Sequence, residues 1–365
     1  MVSLAVIGCG AVFEQLHALA IRRLISGREV ELSALVDPDQ ARASRYTKRF
    51  PNAVWFPSLE EAAAKRSLQA VLVASPPGLH RQQVEAALGL GLHVLCEKPL
   101  VTTATDAHLL ARVAAASGKC LAVGQTRRYF PSLAHAAQKI RAGELGSKLT
   151  FTYSEGGIWG WPIASFAPFL RATAGGGVLT DKGVHILDLL LWLFGEMKVV
   201  SSADDSLRGG VEGNSQLELE GPGVRGTVQV SWDQGMNNGL WIAGEKGELR
   251  VQGDDFLSID IRSRGGNWTR IPNEVAWPAS TALNSPPMMT PRDYQDCVYL
   301  EWVSFLRAVR HGEKVPVDAS VAAIPIGQIE EAYRQAKPRE EKWLTAREQE
   351  SAAAGHWRNG AAANI

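Results

Sequence analysis

The sequence predicts an α/β protein in which a doubly wound parallel sheet is followed by an α+β domain with a large, mostly antiparallel open sheet. Three observations lead to this prediction. Apolar strand-like runs alternate with helical patterns up to about residue 125, as in parallel sheets with helical crossovers. The first of these runs, residues 2–7, leads directly into Gly8 and Gly10. Over residues 198–275, short segments of alternating polarity are separated by turn signals, as in antiparallel sheets.

The length of the chain also indicates two domains. With 365 residues, the chain is longer than one ordinary hydrophobic core requires. The change of pattern near residue 125 sets the predicted boundaries at 1–124 for the parallel-sheet domain and 125–338 for the second domain. Residues 339–365 form a polar, alanine-rich C-terminal tail that we expect to be peripheral or partly disordered.

The first predicted domain alternates strands and helices with short connections. Buried strands are predicted at 2–7, 30–37, 69–75, 91–99 and 119–125. Helices are predicted at 13–24, 38–50, 58–65, 80–90 and 103–117. Ser58 and Glu61 have the spacing of a capping box, which supports the start of the third helix.

The second predicted domain begins with a helix and an alternating strand. The helix covers residues 131–146 and ends at a glycine, and residues 148–156 alternate as an antiparallel strand would. Residues 175–194 are a glycine turn followed by a long apolar helix. After the antiparallel segments, two further helices are predicted at 299–312 and 317–336.

Composition argues against several classes of partner. Lys+Arg and Asp+Glu both number 38, so there is no basic excess of the kind that nucleic acids or anionic membranes favour. The four cysteines form no C-x-x-C pair, which is typical of a reducing cytoplasm. No apolar run is long enough to span a bilayer, and the first residues read as a strand rather than a signal peptide.

The glycine loop is a candidate cofactor site. Gly8 and Gly10 follow a strand and open a helix through Ala11, Val12 and Phe13, which is the context that a dinucleotide-binding loop requires. The second glycine lets the backbone approach a pyrophosphate at the helix N-terminus. Phe13 stands where a small residue is expected for helix–strand packing. The alternative is a structural glycine turn in a domain that binds no nucleotide.

Asp37 is the candidate ligand for the adenosine ribose. It ends the second predicted strand, where an acid accepts hydrogen bonds from ribose hydroxyls and repels a 2′-phosphate. NAD is therefore favoured over NADP. Because Pro38 follows, Asp37 could instead cap the next helix, and both roles can coexist.

The end of the third predicted strand gives further cofactor candidates. Ser75 and Pro76 lie where the nicotinamide-side ribose would pass, and proline stiffens that edge of the sheet. His80 either hydrogen-bonds the cofactor or caps the next helix.

The triplet Glu97-Lys98-Pro99 is the strongest chemical signal in the chain. It ends an apolar strand, at the edge where open α/β sheets bind ligands. Lys98 could act as a base or stay charged and polarise a substrate oxygen. Glu97 pairs with a buried group or with the nicotinamide ribose. The alternative for the triplet is an ordinary surface turn.

A second catalytic candidate is the pair Asp181 and His185. Their i, i+4 spacing at the head of an apolar helix puts them on one helix face, where an aspartate can orient an imidazole. His185 titrates near neutrality and suits proton transfer. The alternatives are a packed helix histidine and an N-terminal helix acid. No third ligand accompanies them, so we expect no metal.

These motifs together resemble the glucose–fructose oxidoreductase / inositol dehydrogenase / rhizopine-catabolism (Gfo/Idh/MocA) family over roughly residues 3–336. The resemblance is carried by AVIGCGAV, ALVDPD, ASPPGLH, the Glu-Lys-Pro triplet, VGQTRRYFP, GELG and GGGVLTDKGVHILDLLLWLFGE. It implies an N-terminal Rossmann domain and a C-terminal domain whose open sheet mediates homodimers or homotetramers. Phe13 departs from the family pattern and puts the cofactor pose in doubt.

The resemblance also implies site residues. It places Lys98, His185 and Asp181 near the reacting carbon. It adds Gln125 to the cofactor contacts, and as substrate contacts it implies Arg127 or Arg128, Tyr153, Glu155 and Trp161. Trp159 and Trp161 could stack on a sugar ring, whereas Trp192, Trp232, Trp241 and Trp302 read as packing residues.

The function implied is a cytoplasmic NAD(P)-dependent oxidoreductase that acts on a secondary alcohol or ketone of a sugar, inositol or related polyol. His185, helped by Asp181, is the preferred proton acceptor, and Lys98 binds the reacting oxygen. One alternative is a biosynthetic keto-sugar or imine reductase, in which the same residues act as acids. Another is a non-catalytic protein or partner subunit that binds cofactor or sugar.

Overall fold

The computed structural model describes residues 1–162, 166–206, 210–253, 255–339 and 345–356. The chain forms two compact units. The first comprises Met1–Phe130 and Ala276–Ala323, and the second comprises Pro131–Val275 and Ile324–Ile365. The first unit thus ends near the predicted boundary but also takes a late segment that the predicted division, 125–338, assigns to the second domain.

The elements are numbered in chain order. The strands are β1 Val2–Ile7, β2 Val30–Val36, β3 Val54–Phe56, β4 Ala70–Val73, β5 His93–Glu97, β6 Leu121–Gly124, β7 Leu149–Glu155, β8 Lys198–Asp204, β9 Asn214–Gly221, β10 Val224–Ser231, β11 Gly239–Gly244, β12 Gly247–Gln252, β13 Ser258–Ser263, β14 Thr269–Pro272, β15 Trp277–Pro278, β16 Met288–Met289 and β17 Lys337–Pro338. The helices are α1 Ala18–Ser26, α2 Gln40–Ser44, α3 Leu59–Lys65, α4 Pro77–Gly89, α5 Ala104–Ser117, α6 Pro131–Arg141, α7 Arg171–Ala174, α8 Val184–Phe194, α9 Tyr294–His311, α10 Ala319–Gln335 and α11 Ala346–Gly355.

The first unit is built on a parallel sheet of six strands in the order β3-β2-β1-β4-β5-β6. Apart from the edge strand β3, its strands are largely buried on both faces, which explains their continuous apolar sequences. The strand order reverses between β1 and β4, where Ile7 pairs with Val73. In open α/β sheets, ligands bind outside the carboxyl ends of the strands at such a reversal.

Helix α9 completes the core of the first unit. The apolar side chains of β1, β2 and α1 share one cluster with residues from this late helix. The α9 members of the cluster are Val298, Trp302, Val303, Phe305 and Leu306. The amphipathic pattern of this segment predicts a buried face but does not tell which core the face joins.

The second unit contains a nine-stranded sheet in the order β14-β13-β12-β11-β7-β10-β9-β8-β17. Most neighbours are antiparallel, as predicted. Strand β7 was expected to be antiparallel, yet it pairs antiparallel with β11 and parallel with β10. Its alternating polarity reflects one buried and one exposed face, which is compatible with either pairing direction.

Three local features differ from the prediction. The predicted helix 38–50 forms only as α2, because turns follow from Arg45 and Pro51 disfavours helical geometry at the residue before it. The predicted helix 13–24 begins with a π-helical turn, Phe13–His17, before α1. Strand β3 was not predicted, since three residues are too few to show a period.

The C-terminal tail, which was expected to be peripheral or partly disordered, contains a helix where the structure describes it. Residues Ala346–Gly355 form helix α11, which starts with a capping box formed by Thr345 and Glu348. His356 follows the helix, is 1% exposed and lies 2.7 Å from Asp204 through Nε2 and Oδ1. Among the described residues, no helix has the length and apolar character needed to cross a membrane.

Candidate functional site

The glycine loop joins the two strands at the reversal of the first sheet. Gly8 has a φ of 90°, and a Cβ at this position would lie 2.7 Å from the backbone of Ala74 and Ser75. Only glycine therefore lets the end of β1 approach the end of β4 so closely. A Cβ on Gly10 would meet nothing within 4 Å, so this residue borders open space at the start of the helix. Such space suits a pyrophosphate beside backbone N–H groups.

Phe13 does not lie over this loop. Its side chain is fully buried and packs against Tyr46 and Phe50, with ring centroids 4.7 and 6.1 Å away. The departure from the family pattern at Phe13 therefore leaves the loop open, and the cofactor contact of this residue stays a prediction. The ring is accommodated because the turn that carries it, Phe13–His17, directs it into the core.

Asp37 ties the end of β2 to the glycine loop. Its Oδ2 accepts a hydrogen bond from the Cys9 N–H at 2.9 Å, and its Oδ1 accepts one from the Asp39 N–H at 2.9 Å. Arg42 approaches Oδ1 at 3.5 Å. The helix-capping role considered for Asp37 belongs to Asp39, whose side chain accepts from the N–H groups of Ala41 and Arg42.

His80 lies in the protein interior between two backbone carbonyls. It is fully buried, with Nδ1 2.9 Å from the carbonyl of Pro99 and Nε2 2.7 Å from the carbonyl of Ser75. Burial lowers the pKa of this ring. Both ring nitrogens face backbone carbonyls, so His80 links the loops after β4 and β5, and its hydrogen bond to a cofactor stays a prediction. Pro76 precedes α4 as its N-cap residue, and Ser75 Oγ donates to Gln83.

Glu97 is a buried carboxylate at the end of β5. Its Oε1 lies 2.8 Å from His17 Nε2, and its Oε2 accepts from the Lys98 N–H at 3.1 Å. Burial alone raises the pKa of Glu97, but the hydrogen bond from His17 and the neighbouring Lys98 charge outweigh it and hold the pKa below its usual value. Lys98 itself is half-buried, so its side chain is the part of the triplet nearest to solvent.

A second buried acid in the first unit behaves in the opposite way. Glu301, on α9, receives a hydrogen bond from the Thr126 hydroxyl at 3.2 Å. Burial and the negative charge of Glu97 raise the pKa of Glu301 well above its usual value. Two carboxyls whose pKa values are displaced in opposite directions are typical of functional sites.

The predicted site residues Gln125, Arg127 and Arg128 come directly after β6, the strand next to β5 in the first sheet. Glu97 pairs with Gly124 in the sheet, so the residues that follow them, Lys98 and Gln125, lie at the same edge of the sheet. Gln125 is buried, and Arg127 and Arg128 are half-buried on the short 3₁₀ turn Thr126–Tyr129. Arg128 donates to the carbonyl of Pro316 at 3.1 Å.

In the second unit, Asp181 lies in a π-helical turn, Leu179–Gly183, which runs directly into α8 with His185 in its first turn. The pair was predicted on a continuous α-helix, so the π-turn is a local difference. Asp181 Oδ2 accepts a hydrogen bond from Trp232 Nε1 at 3.2 Å. His185 is 8% exposed.

Trp232 is a residue whose role the sequence did not reveal. The prediction treated it as packing, and its ring does pack edge-on against Trp159 and Phe169, with centroids 4.8 and 5.9 Å away. Its indole N–H nevertheless reaches Asp181, so it orients a candidate catalytic side chain. A tryptophan that directly follows a strand, as Trp232 follows β10, gives no sequence signal for such a contact.

Glu212 and Tyr333 hold the start of the Asp181 helix. Glu212 Oε1 accepts from the N–H groups of Gly177 at 2.9 Å and Leu179 at 3.1 Å, and from the Tyr333 hydroxyl at 2.5 Å. A Cβ on Gly177 would collide with the backbone of Glu212, which explains a glycine there. Burial raises the pKa of Glu212. These residues lie too far from the motif in sequence to be predicted as part of it.

The remaining predicted substrate contacts also lie in the second unit. Tyr153 and Glu155 are on β7, buried and half-buried, and Trp161 is 38% exposed in the segment that follows. Trp159 Nε1 donates to the Trp161 carbonyl at 2.8 Å. In the described parts of the chain, no cluster of three or more His, Cys, Asp or Glu could hold a metal ion.

Comparison with known families decides the identity of this architecture. Residues 2–125 match a model described as "Oxidoreductase family, NAD-binding Rossmann fold", and residues 133–250 match the "GFO/IDH/MocA C-terminal domain". The chain belongs to the Gfo/Idh/MocA family. The resemblance inferred from the motifs is confirmed, and the chain is an oxidoreductase with an NAD-binding Rossmann domain.

Individual relatives of this Gfo/Idh/MocA protein are distant. D-apiose dehydrogenase of Paraburkholderia graminis is 26% identical over 289 residues, which are 75% of this chain and 73% of that protein. Rhizopine catabolism protein MocA of Rhizobium meliloti is 31% identical over 214 residues, 58% of this chain and 64% of that protein. Levoglucosan dehydrogenase, solved with NADH and levoglucosan, has a TM-score of 0.77 at 18% identity and covers 92% of this chain and 98% of its own. The structural likeness confirms the predicted fold class.

Proposed function

We propose that this Gfo/Idh/MocA protein transfers a hydride between NAD and a secondary alcohol or ketone of a sugar, inositol or related polyol. The observation that carries the proposal is the edge of the first sheet, where the open glycine loop, Asp37 and Lys98 all follow parallel strands. That edge is where open α/β sheets bind nucleotides. The names of the distant relatives, among them a D-apiose dehydrogenase, support a sugar-like substrate.

The first unit is proposed to bind the cofactor. Gly8, Gly10, Ala11 and Val12 offer backbone next to the pyrophosphate, and Asp37 accepts from the adenosine ribose. Ser75, Pro76, Glu97 and Gln125 are proposed to surround the nicotinamide side. When bound, the nicotinamide supplies the hydride acceptor or donor. The buried charge of Asp37 would repel a 2′-phosphate, which supports NAD over NADP.

The chain's own residues are proposed to handle the substrate oxygen and its proton. Lys98 binds the reacting oxygen through its ammonium group, which stabilises negative charge as the proton leaves. His185 accepts the proton, and Asp181, held by Trp232, orients the imidazole. Arg127, Arg128, Tyr153, Glu155 and Trp161 are proposed to bind the other hydroxyl groups of the substrate.

Assembly and location complete the proposal. On the exposed face of the second sheet, Arg250 stacks on Trp241 and Trp268, at 3.8 and 4.0 Å from the ring centroids. We propose that this face mediates a homodimer or homotetramer. All four cysteines are free thiols, which supports a reducing cytoplasm.

Titration with NAD and NADP, followed by turnover assays on a panel of sugars and inositols, tests the function. We expect tighter binding of NAD than of NADP and turnover of at least one polyol. Lys98→Ala and His185→Ala should each lower kcat by at least about 100-fold, the usual scale for a proton-transfer group. Lys48→Ala, an exposed lysine of the first unit, is the matched control. Failure to bind either nucleotide, or full activity in both variants, would rule the proposal out.

A further inference from the structure

Three buried side chains link helix α9 to the peptide of Lys98. Trp302 Nε1 donates a hydrogen bond to His17 Nδ1 at 3.0 Å, and His17 Nε2 lies 2.8 Å from Glu97 Oε1. Glu97 Oε2 then accepts from the Lys98 N–H at 3.1 Å. Trp302 is fully buried, His17 is 1% exposed and Glu97 is 7% exposed. All of these residues belong to the first unit.

The direction of each hydrogen bond in this chain is fixed by chemistry. An indole N–H can only donate, so His17 Nδ1 must accept and carries no proton. The ring proton is then on Nε2 and is donated to Glu97. With Oε1 receiving this proton and Oε2 receiving the Lys98 N–H, both oxygens of Glu97 act as acceptors, as in a carboxylate. A doubly protonated His17 would oppose the Trp302 N–H with a second N–H.

Burying the polar groups of Trp302, His17 and Glu97 costs free energy, and packing alone does not explain why they are there. Polar groups are expensive to bury, even when they are hydrogen-bonded, compared with apolar side chains of the same shape. Trp302 is itself a member of the apolar main core and packs edge-on against Phe305. The hydrogen-bonded line runs from helix α9 to the half-buried Lys98.

We propose that Trp302 and His17 are positioning residues that keep Glu97 a carboxylate and thereby fix the peptide that carries Lys98. Trp302 selects the tautomer of His17, and His17 anchors Glu97. The inference rests on the proposed function of Lys98 and adds two residues that touch neither cofactor nor substrate. The indole group of Trp302 thus acts through two intermediate side chains.

The tautomer of His17 can be measured directly by NMR on the full-length protein labelled with ¹⁵N-histidine. The His17 signals are those missing from the His17→Gln variant. We expect an unprotonated Nδ1 and a protonated Nε2 in the wild type at neutral pH. In Trp302→Phe, which keeps an aromatic ring but has no N–H donor, this preference should be lost. A protonated Nδ1 in the wild type, or an unchanged tautomer in Trp302→Phe, would overturn the inference.

Kinetics test the consequence for Lys98. His17→Phe cannot donate to Glu97, and we expect its kcat to fall by about tenfold or more, as when the hydrogen-bond partner behind a functional group is removed. His17→Gln can both accept from Trp302 and donate to Glu97, so it should recover most of the activity. Phe305→Leu removes neighbouring aromatic packing without any hydrogen bond and is the control for destabilisation. Equal activity of His17→Phe and wild type would also overturn the inference.

The two measurements separate this inference from the proposed function. The tautomer measurement needs no substrate. If the wild type turned over no compound in the panel, the proposed function would fail, while the NMR result would still decide whether the Trp302–His17–Glu97 chain exists as described.

Discussion

At the scale of single residues, the two buried acids of the first unit give the clearest energetic signal. Glu97 is stabilised as an anion by His17 and by the Lys98 peptide, whereas Glu301 is buried with the Thr126 hydroxyl and near the Glu97 charge. Folding therefore favours the charged form of Glu97 and the protonated form of Glu301. These opposite states make opposite predictions for the dependence of stability on pH.

Glu301→Gln should stabilise the protein at neutral pH. Because the folded-state pKa of Glu301 is raised above 4.5, its contribution is fully present below that pH and is lost as pH rises toward the folded-state pKa. The free energy of unfolding falls by up to about 1.4 kcal/mol per pH unit over this range. Glutamine does not titrate, so the variant does not lose this stability. Urea unfolding at acid and neutral pH should show an advantage of the variant that grows with pH.

Glu97→Gln is the control with the opposite sign. The lowered pKa of Glu97 contributes stability that is present above 4.5 and is lost as pH falls through the folded-state pKa. The variant should therefore be less stable than wild type at neutral pH, and the difference should shrink in acid. A constant difference across pH for both variants would contradict the assigned charge states.

Asp37→Asn should weaken the preference for NAD. The change removes the charge that would repel a 2′-phosphate and leaves Arg42 without that partner. It also weakens the bond to the Cys9 N–H, since hydrogen bonds to charged groups contribute about 2 kcal/mol. We expect the ratio of the NADP and NAD dissociation constants to fall by about tenfold, which corresponds to 1.4 kcal/mol. Asp39→Asn, which keeps a good N-cap residue, should leave the ratio unchanged.

At the scale of elements, the start of the Asp181 helix is held by a buried clamp, defined here as Glu212 with Tyr333. Tyr333→Phe removes a hydroxyl that contacts Glu212 at 2.5 Å and Thr180 at 3.0 Å. The free energy of unfolding should fall by about 1–3 kcal/mol, because buried polar groups lose their partner. We expect kcat to fall while NAD binding, a property proposed for the first unit, is unchanged. Calorimetry and NAD titration would show both, and weakened NAD binding would contradict this division of roles.

The sequence predicted the elements that repeat a pattern and missed those that depend on distant partners. The alternation of apolar runs and helices predicted the parallel sheet, since buried strands and crossovers leave a local signal. The pairing directions of β7 were beyond the sequence because side-chain alternation reports exposure only. The glycine loop, Asp37 and Glu97 were identified from strand ends, but the contacts of His17, Trp302 and Glu212 span too many residues to be read locally.

At the scale of the whole molecule, the first unit is formed by two stretches that lie far apart in the sequence, residues 1–130 and 276–323. A fragment of residues 1–130 lacks the α9 residues that fill its core, among them Trp302 and Phe305. Such a fragment should show little cooperative unfolding and no NAD binding. Joining residues 1–130 to residues 276–323 through a flexible linker should restore both properties. Circular dichroism melts and NAD titration of the two proteins make the comparison, and cooperative folding of the short fragment would contradict it.

The proposed oligomer also makes a prediction at this scale. Trp241 is 43% exposed on the sheet face where Arg250 stacks on it. Trp241→Glu places a charge in the proposed interface, where an unpaired charge is costly to bury. Analytical ultracentrifugation should show a shift toward monomer, whereas Lys48→Glu, on the exposed surface of the first unit, should leave the mass unchanged. A monomeric wild type would rule out the proposed assembly.

The chain passes between the two units after Phe130, after Val275 and after Ala323. Homologous recombination with a single crossover therefore cannot trade one complete unit between relatives, because each unit is encoded in two separated stretches. The last passage falls within α10, so a splice there must also preserve helical phase. Chimaeras that graft a new substrate unit onto this cofactor unit need matched exchange of both stretches, which limits how gene shuffling can diversify this lineage.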